Sequence, residues 1–105
     1  MEDRINKIIL DYKAKGWDTE RVIEQLKDFR AYLLEVKVPF LVKTTRLAYE
    51  YLERNGEFNV DIWEERGEDD ETSFEYFMTL MKDYENKYNR EELIEYHELF
   101  REDED

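Results

Sequence analysis

Apolar residues recur at helical spacing from the start of the chain. Near the N-terminus they lie at offsets of 0, 3, 4 and 7, the pattern of an amphipathic helix: Ile5, Ile8, Ile9 and Tyr12. Gly16 follows two lysines, where a helix C-cap is expected. This pattern predicts a first helix over residues 3–15.

A second apolar stripe is sustained for four turns with spacings of 4, 3, 4 and 3: Val22, Leu26, Phe29, Leu33 and Val36. Asp18 or Thr19 is placed to cap the start of this second helix. Pro39 ends it near Val36, because proline pushes the residue before it out of the helical region. Its fixed φ and missing N–H suit Pro39 to the first turn of a third helix.

The third helix is predicted over residues 40–54, where apolar side chains form a broad face and Gly56 is a suitable stop. Residues 57–62 then alternate between polar and apolar, which indicates an extended connector packed on the helices, since one strand cannot make a sheet alone. Residues 64–72, with six acids in nine positions, are predicted to form a solvated, mobile loop.

Two more helices are predicted in the second half. Thr72 and Glu75 form a capping-box pair at the start of a helix over residues 73–84, whose stripe repeats the 0, 3, 4, 7 spacing: Phe74, Phe77, Met78 and Met81. Asn89 and Glu92 form a similar pair before a last helix with one apolar face: Leu93, Tyr96 and Phe100. The acidic run 101–105 is expected to fray, because acids oppose the dipole at a helix C-terminus.

These elements predict an all-α single domain, a small bundle of about five helices with an acidic loop. Leu, Ile, Val and Phe make up 27 of the 105 residues, about 26%, which exceeds the share below which a highly charged chain stays disordered. The first three helices carry the more continuous stripes, so they are expected to form the core with the last two packed against it. The predicted segments are core helices 1–56, connector and acidic loop 57–72, last two helices 73–100 and tail 101–105.

Charge is divided very unevenly along the chain. Residues 1–54 hold 11 basic and 10 acidic side chains, whereas residues 55–105 hold 5 basic and 19 acidic, so the net charge of −13 comes from the second half. Direct binding of nucleic acid or of an anionic membrane is disfavoured, since both need clustered Lys and Arg. The longest uncharged run, Tyr76 to Met81, is far too short to span a bilayer, and no signal-peptide pattern opens the sequence. A soluble, cytoplasmic protein is expected.

Motifs for catalysis, cofactors and metals are not found in the sequence. There is no cysteine, and three isolated glycines cannot supply a P-loop or a dinucleotide fingerprint. The acids Glu68 to Glu71 are consecutive, whereas calcium loops alternate them around an internal glycine. His97 is the one histidine and has no second metal ligand at helical spacing. We therefore expect neither enzyme activity, nor a metal site, nor a cofactor.

Aromatic residues are the more informative feature of the acidic half. The chain has two Trp, eight Tyr and six Phe, more than a small core can fully bury, and Tyr and Trp suit protein interfaces. The tyrosines are either interface residues or surround the edge of the core with their hydroxyls in water. Trp63 stands beside the acidic loop, where it is either a core side chain or an exposed anchor. The candidate partner-binding residues are Trp63, Glu68, Asp69, Asp70, Glu71, Tyr76, Tyr84 and Tyr88.

Two functional hypotheses follow from these features. In the first, the chain is a protein-interaction module whose acidic half docks a basic partner surface, as a nucleic-acid mimic or an immunity-type inhibitor would. In the second, it is a structural subunit of a helical homo-oligomer that uses the Val22 to Val36 stripe, or an exposed apolar patch, as its interface.

Overall fold

The computed structural model describes residues 1–103 and confirms the all-α class with five helices. The helices are α1 (Glu2–Lys15), α2 (Thr19–Glu35), α3 (Pro39–Asn55), α4 (Ser73–Lys82) and α5 (Lys87–Glu102). No helix within residues 1–103 combines the length and the apolar character needed to cross a membrane.

Local capping signals place most of the helix ends. Gly16 and Gly56 both have positive φ, 78° and 75°, and their N–H groups donate to the carbonyls of the preceding turn. Asp18 caps α2 by accepting from the N–H of Arg21 at 3.1 Å. Thr72 and Glu75 form both halves of the predicted capping box at α4. These predictions are confirmed because each signal acts within one helical turn.

The sequence pattern predicts the wrong asparagine as the N-cap of α5. Asn86, not Asn89, is the N-cap, and its side-chain oxygen accepts from the N–H groups of Tyr88 and Asn89 at 3.0 and 3.2 Å. Asn89 lies one turn inside α5 and donates to the carbonyl of Asp83 at 3.1 Å. The last helix therefore begins earlier than expected, and α4 ends at Lys82, before residue 84.

The structure places the end of α5 inside the segment that is predicted to fray from Arg101. α5 continues to Glu102, and the Asp103 carboxylate accepts from Arg54 Nε at 3.0 Å and Asn55 Nδ2 at 2.6 Å. These contacts tie the end of α5 to the end of α3 and outweigh the unfavourable acid–dipole interaction. The rest of the predicted tail, 104–105, lies outside the described residues.

The corner between α2 and α3 is a Schellman-type turn with a lysine in place of glycine. Val38 N–H donates to the Leu33 carbonyl at 3.0 Å, and Lys37 between them has φ 60°. An L-residue in this left-handed region costs about 1 kcal/mol. Val36 lies at the C-cap and is exposed, so the stripe of α2 ends at Leu33.

The helices form a closed ring of neighbours around one core. α2 packs on α1 and α3, α5 on α3 and α4, and α4 on α1. The core is therefore not confined to the first three helices, as their stripes suggested, since α4 and α5 supply many of its fully buried side chains: Phe77, Met78, Met81, Leu93, Tyr96 and Phe100. The order of the helices along the chain does not show this arrangement, because α5, the last helix, packs between α3 and α4.

The connector after α3 lies against the helices, as its alternation predicts. Phe58 packs its ring within 5.5–5.9 Å of the rings of Phe74, Phe77 and Phe100, and Val60 is buried. Residues 57–62 form no strand. The connector leads directly into the acidic loop and fixes where that loop leaves the core.

Candidate partner-binding site

Arg66 organises the acidic loop. Its guanidinium makes a bidentate ion pair with Asp61, with both N···O distances 2.7 Å, and donates to the backbone carbonyl of Glu71 at 2.8 Å. This pairing holds the pKa of the Asp61 carboxyl below its ordinary value and raises the pKa of Arg66. The connector and the end of the loop are therefore joined through the single side chain of Arg66.

Trp63 rests on this ion pair. The Arg66 guanidinium carbon lies 3.9 Å from the centre of the Trp63 ring, and the Tyr76 ring lies 4.8 Å away at 52°. The backbone N–H of Trp63 donates to Asp61 Oδ1 at 3.1 Å, and the residue remains 38% exposed. Trp63, Arg66 and Tyr76 are called the Trp63 platform below. Trp63 is thus a partly exposed side chain on a fixed support.

Tyr76 links the Trp63 platform to the helices. Its hydroxyl donates to the Glu92 carboxylate of α5, with oxygen distances of 2.7 and 2.8 Å. Burial and the neighbouring Glu92 raise the pKa of Tyr76 to about 12, so the hydroxyl stays protonated and keeps donating at neutral pH. The platform is therefore braced by α4 and α5 as well as by the connector.

The four consecutive acids of the loop are all exposed, but one of them has a structural role. Asp70 Oδ2 accepts from the N–H of Gly67 at 2.8 Å, and the N–H of Asp70 donates back to the Gly67 carbonyl at 3.2 Å, closing a turn. Within residues 1–103 the side chains of Glu68, Asp69 and Glu71 form neither a hydrogen bond nor an ion pair. Those three carboxylates are accessible to a partner.

Tyr84 and Tyr88 are not brought into this site. Tyr84 follows the C-terminal end of α4, whereas Tyr76 lies in its first half. Tyr88 is the second residue of α5 and is largely exposed. Among the described residues neither ring stacks on the Trp63 platform. The structure thus groups Trp63, Tyr76 and the acidic loop, and separates the other two predicted residues from them.

The sequence patterns do not predict the site contacts of three residues: Asp61, Arg66 and Glu92. Asp61 and Arg66 are a charge pair five positions apart in a loop, where no helical period links them. Glu92 is the capping partner expected for Asn89, but in the structure it accepts from Tyr76. With 29 acids in the chain, the acceptor for any one donor depends on the tertiary fold.

α5 presents a separate acidic surface, the glutamate stripe. Its members are exposed and spaced 4, 3 and 4 positions apart, so they share one face of the helix: Glu91, Glu95, Glu98 and Glu102. Like charges at this spacing destabilise a helix by a few tenths of a kcal/mol per pair, about 0.2–0.5. An open groove of about 250 Å³ lies beside the stripe and is also lined by Asp61, the carboxylate that Arg66 of the Trp63 platform binds.

His97 is packed in the core on the opposite face of α5. Its Nε2 lies 2.6 Å from Thr44 Oγ1, and its ring centre lies 5.2 Å from that of Phe40. The Thr44 hydroxyl donates to the Phe40 carbonyl at 2.9 Å, so it accepts from a protonated Nε2. Burial, with Lys43 and Arg101 nearby, lowers the pKa of His97 to about 4, and the ring is neutral at pH 7.

The predicted oligomer interface on α2 is not available. Val22, Leu26, Phe29 and Leu33 are buried within this chain, where α2 packs on α1 and α3. The continuous stripe of α2 is part of the chain's own core. The homo-oligomer hypothesis therefore needs an exposed apolar patch elsewhere as its interface.

In residues 1–103 no group of three or more His, Asp and Glu side chains is arranged to hold a metal ion. Comparisons with protein-family models, with curated proteins and with solved structures gave no match.

Proposed function

We propose that this chain is a non-enzymatic protein-interaction module that docks a basic protein surface on the Trp63 platform and the acidic loop. The observation that carries the proposal is the position of Trp63, which is 38% exposed and stacked on Arg66, the side chain that also binds the Glu71 carbonyl of the acidic loop. Tryptophan is the side chain most enriched among residues that dominate binding energy at interfaces.

The fixed support under Trp63 favours binding. A side chain that must be immobilised on association costs about 0.5–1.5 kcal/mol of ordering free energy. Arg66 and Tyr76 already contact the indole ring, and Asp61 binds the backbone N–H of Trp63. A partner therefore meets an apolar surface whose ordering cost is largely met by the fold.

The acidic loop determines which partners are selected. Three carboxylates without a partner among residues 1–103, those of Glu68, Asp69 and Glu71, attract Lys and Arg and repel acidic surfaces. Complementary charge accelerates encounter and suppresses wrong partners more than it adds affinity. The partner is a protein with a Lys/Arg-rich surface around an apolar spot, a class that includes nucleic-acid-binding proteins and the basic targets of immunity-type inhibitors.

The test separates specific docking from general negative charge. The loop variant is Glu68→Gln with Asp69→Asn and Glu71→Gln, which leaves the Asp70 turn intact. A matched control changes three exposed acids of α2 by the same net charge: Glu24→Gln, Asp28→Asn and Glu35→Gln. Each protein is used to capture partners from lysate, and affinity for the purified partner is then measured by calorimetry at about 0.05 M and about 0.15 M salt.

Specific docking predicts that the loop variant binds more weakly and with a smaller salt dependence, whereas the control binds as the native chain does. Trp63→Ala should weaken binding by about tenfold or more at both salt concentrations, because the lost contact is apolar. Equal losses in the loop variant and the control, or full affinity in Trp63→Ala, would overturn the proposal.

A further inference from the structure

The corner between α2 and α3 carries an open groove of about 430 Å³ with an apolar floor and a basic rim. Leu34, Val38 and Val42 form the floor, and Leu34 is 52% exposed although it is a large apolar side chain. Lys37, Lys43 and Arg46 form the rim, and no acid lines the groove. In a chain of net charge −13, this is an apolar surface bordered by positive charge.

Local backbone structure adds to the positive character of the groove. α3 begins here with Val38 as its N-cap, without a capping side chain and without an acid in its first turn, so the positive end of its dipole is uncompensated. Within residues 1–103 Lys37 and Lys43 form no ion pair, whereas Arg46 bonds Glu50 at 2.9 Å. The backbone of Lys37 has a left-handed conformation that favours glycine, yet the residue at this position is a charged lysine.

The same chain displays a surface that is complementary in both charge and apolar character. The glutamate stripe of α5 presents Glu91, Glu95 and Glu98 to solvent, and Ile94 beside them is 42% exposed. The one cation within a turn of Ile94, Arg90, lies over the Phe40 ring of its own chain, 4.1 Å from the ring centre. An amphipathic helix that lays apolar side chains into a groove while its charges meet the rim is a recurrent mode of protein recognition. The stripe thus has the composition that the groove would bind.

We propose that the groove of one molecule binds the glutamate stripe of a second copy, with Ile94 of that copy on Leu34 and Val42. A molecule cannot fill its own groove in this way, because α5 packs on α3 and α4 through the opposite face, which carries Leu93, Tyr96 and His97. The stripe therefore points away from α3 and can reach only another molecule.

The contact joins two different patches, so each molecule has one groove and one stripe to offer. Such a head-to-tail interface builds open chains or rings rather than stopping at a symmetric dimer. The long-range repulsion between chains of net charge −13 is screened beyond about 8 Å at physiological salt, whereas groups in contact are screened much less. Assembly is therefore expected near 0.15 M salt, at about 0.1 mM protein or above.

Two single substitutions test the contact, and a third is a matched control. Leu34→Glu places a charge in the groove, and Ile94→Glu removes the apolar side chain beside the stripe. Leu10→Glu makes the same type of change at a residue that is 64% exposed on α1, outside both surfaces. Sedimentation velocity over a range of concentrations measures association, and circular dichroism melting verifies that each variant is folded.

Native chain and Leu10→Glu should associate alike as concentration rises, whereas the Leu34→Glu and Ile94→Glu variants should each dissociate at least about tenfold more readily. An equal mixture of these two variants retains one intact groove and one intact stripe, so it should form a one-to-one complex and nothing larger. This test is independent of the proposed function, since Trp63→Ala should leave association unchanged.

Three results would each refute self-docking. The native chain could remain monomeric up to about 1 mM, in which case the groove serves another acidic partner or none. Leu10→Glu could weaken association as much as Leu34→Glu does, or the mixture of the two variants could fail to pair. If a variant does not fold, Lys43→Glu, at an exposed rim position, replaces it for the groove and Glu95→Lys for the stripe.

Discussion

Acidification should destabilise this protein through its one histidine before its paired carboxylates protonate. His97 is buried and neutral, with a pKa lowered to about 4, whereas the same side chain in the unfolded chain titrates near 6.5. Between these two values the unfolded state binds a proton and the folded state does not. Lowering the pH therefore favours unfolding over this range.

The size of the effect follows from the displacement of the pKa. Above pH 6.5 the ring is neutral in both the folded and the unfolded state, so His97 does not make the free energy of unfolding depend on pH. As the pH falls from 6.5 toward 4, only the unfolded state binds the proton, and the free energy of unfolding decreases. At about 1.36 kcal/mol per pH unit, the loss by pH 4 is about 3 kcal/mol. The carboxyls whose pKa values lie below 3.8, Asp11, Asp61 and Asp103, add their own losses mainly below this range.

The assay compares the native chain with His97→Gln, which keeps an N–H donor for Thr44 but does not titrate. Urea unfolding at several pH values between about 7 and 4.5 gives the free energy of unfolding for each protein. Subtracting the two curves removes changes common to both, such as reduced repulsion among the acids. The difference should shrink by about 2–3 kcal/mol over that range, with the native chain losing more.

Titrating His97 in the folded protein tests the lowered pKa directly. The histidine ring protons, followed by NMR in the folded protein, should show no midpoint above about pH 5. A midpoint near 6.5 would mean that the ring is accessible and that the burial argument is wrong. A constant difference between the two unfolding curves would refute the linkage argument in the same way.

Other predictions concern the loop and the helix ends. Arg66→Met removes the ion pair with Asp61 and should cost about 2 kcal/mol in urea unfolding, and hydrogen exchange in residues 61–71 should accelerate; unchanged exchange would contradict the role of Arg66. Asn86→Ala should cost about 1 kcal/mol in the same assay and more than Asn89→Ala, and the reverse order would contradict the N-cap assignment. Lys37→Gly should raise the free energy of unfolding by about 0.5–1 kcal/mol, because glycine relieves the left-handed strain; a loss would refute that account.

Features that depend on one or two helical turns were determined by the sequence itself. The all-α class, the five helices, the capping box at Thr72 and the stops at Gly16 and Gly56 follow from spacings of three or four residues. Each signal links groups that the helix itself brings together, so no tertiary information is needed.

Features that join distant residues were decided only by the tertiary structure. Tyr76 donates a hydrogen bond to Glu92 because the ring of helices packs α4 on α5. Asp103 pairs with Arg54 because the end of α5 lies beside the end of α3. An apolar stripe shows that a helix face is buried but does not say against which partner, so the α2 stripe could be read as an oligomer interface. With 29 acids and 16 bases, ion pairs cannot be assigned from composition. The tertiary fold selects them, because only the folded chain fixes which opposite charges come within a few ångströms of each other.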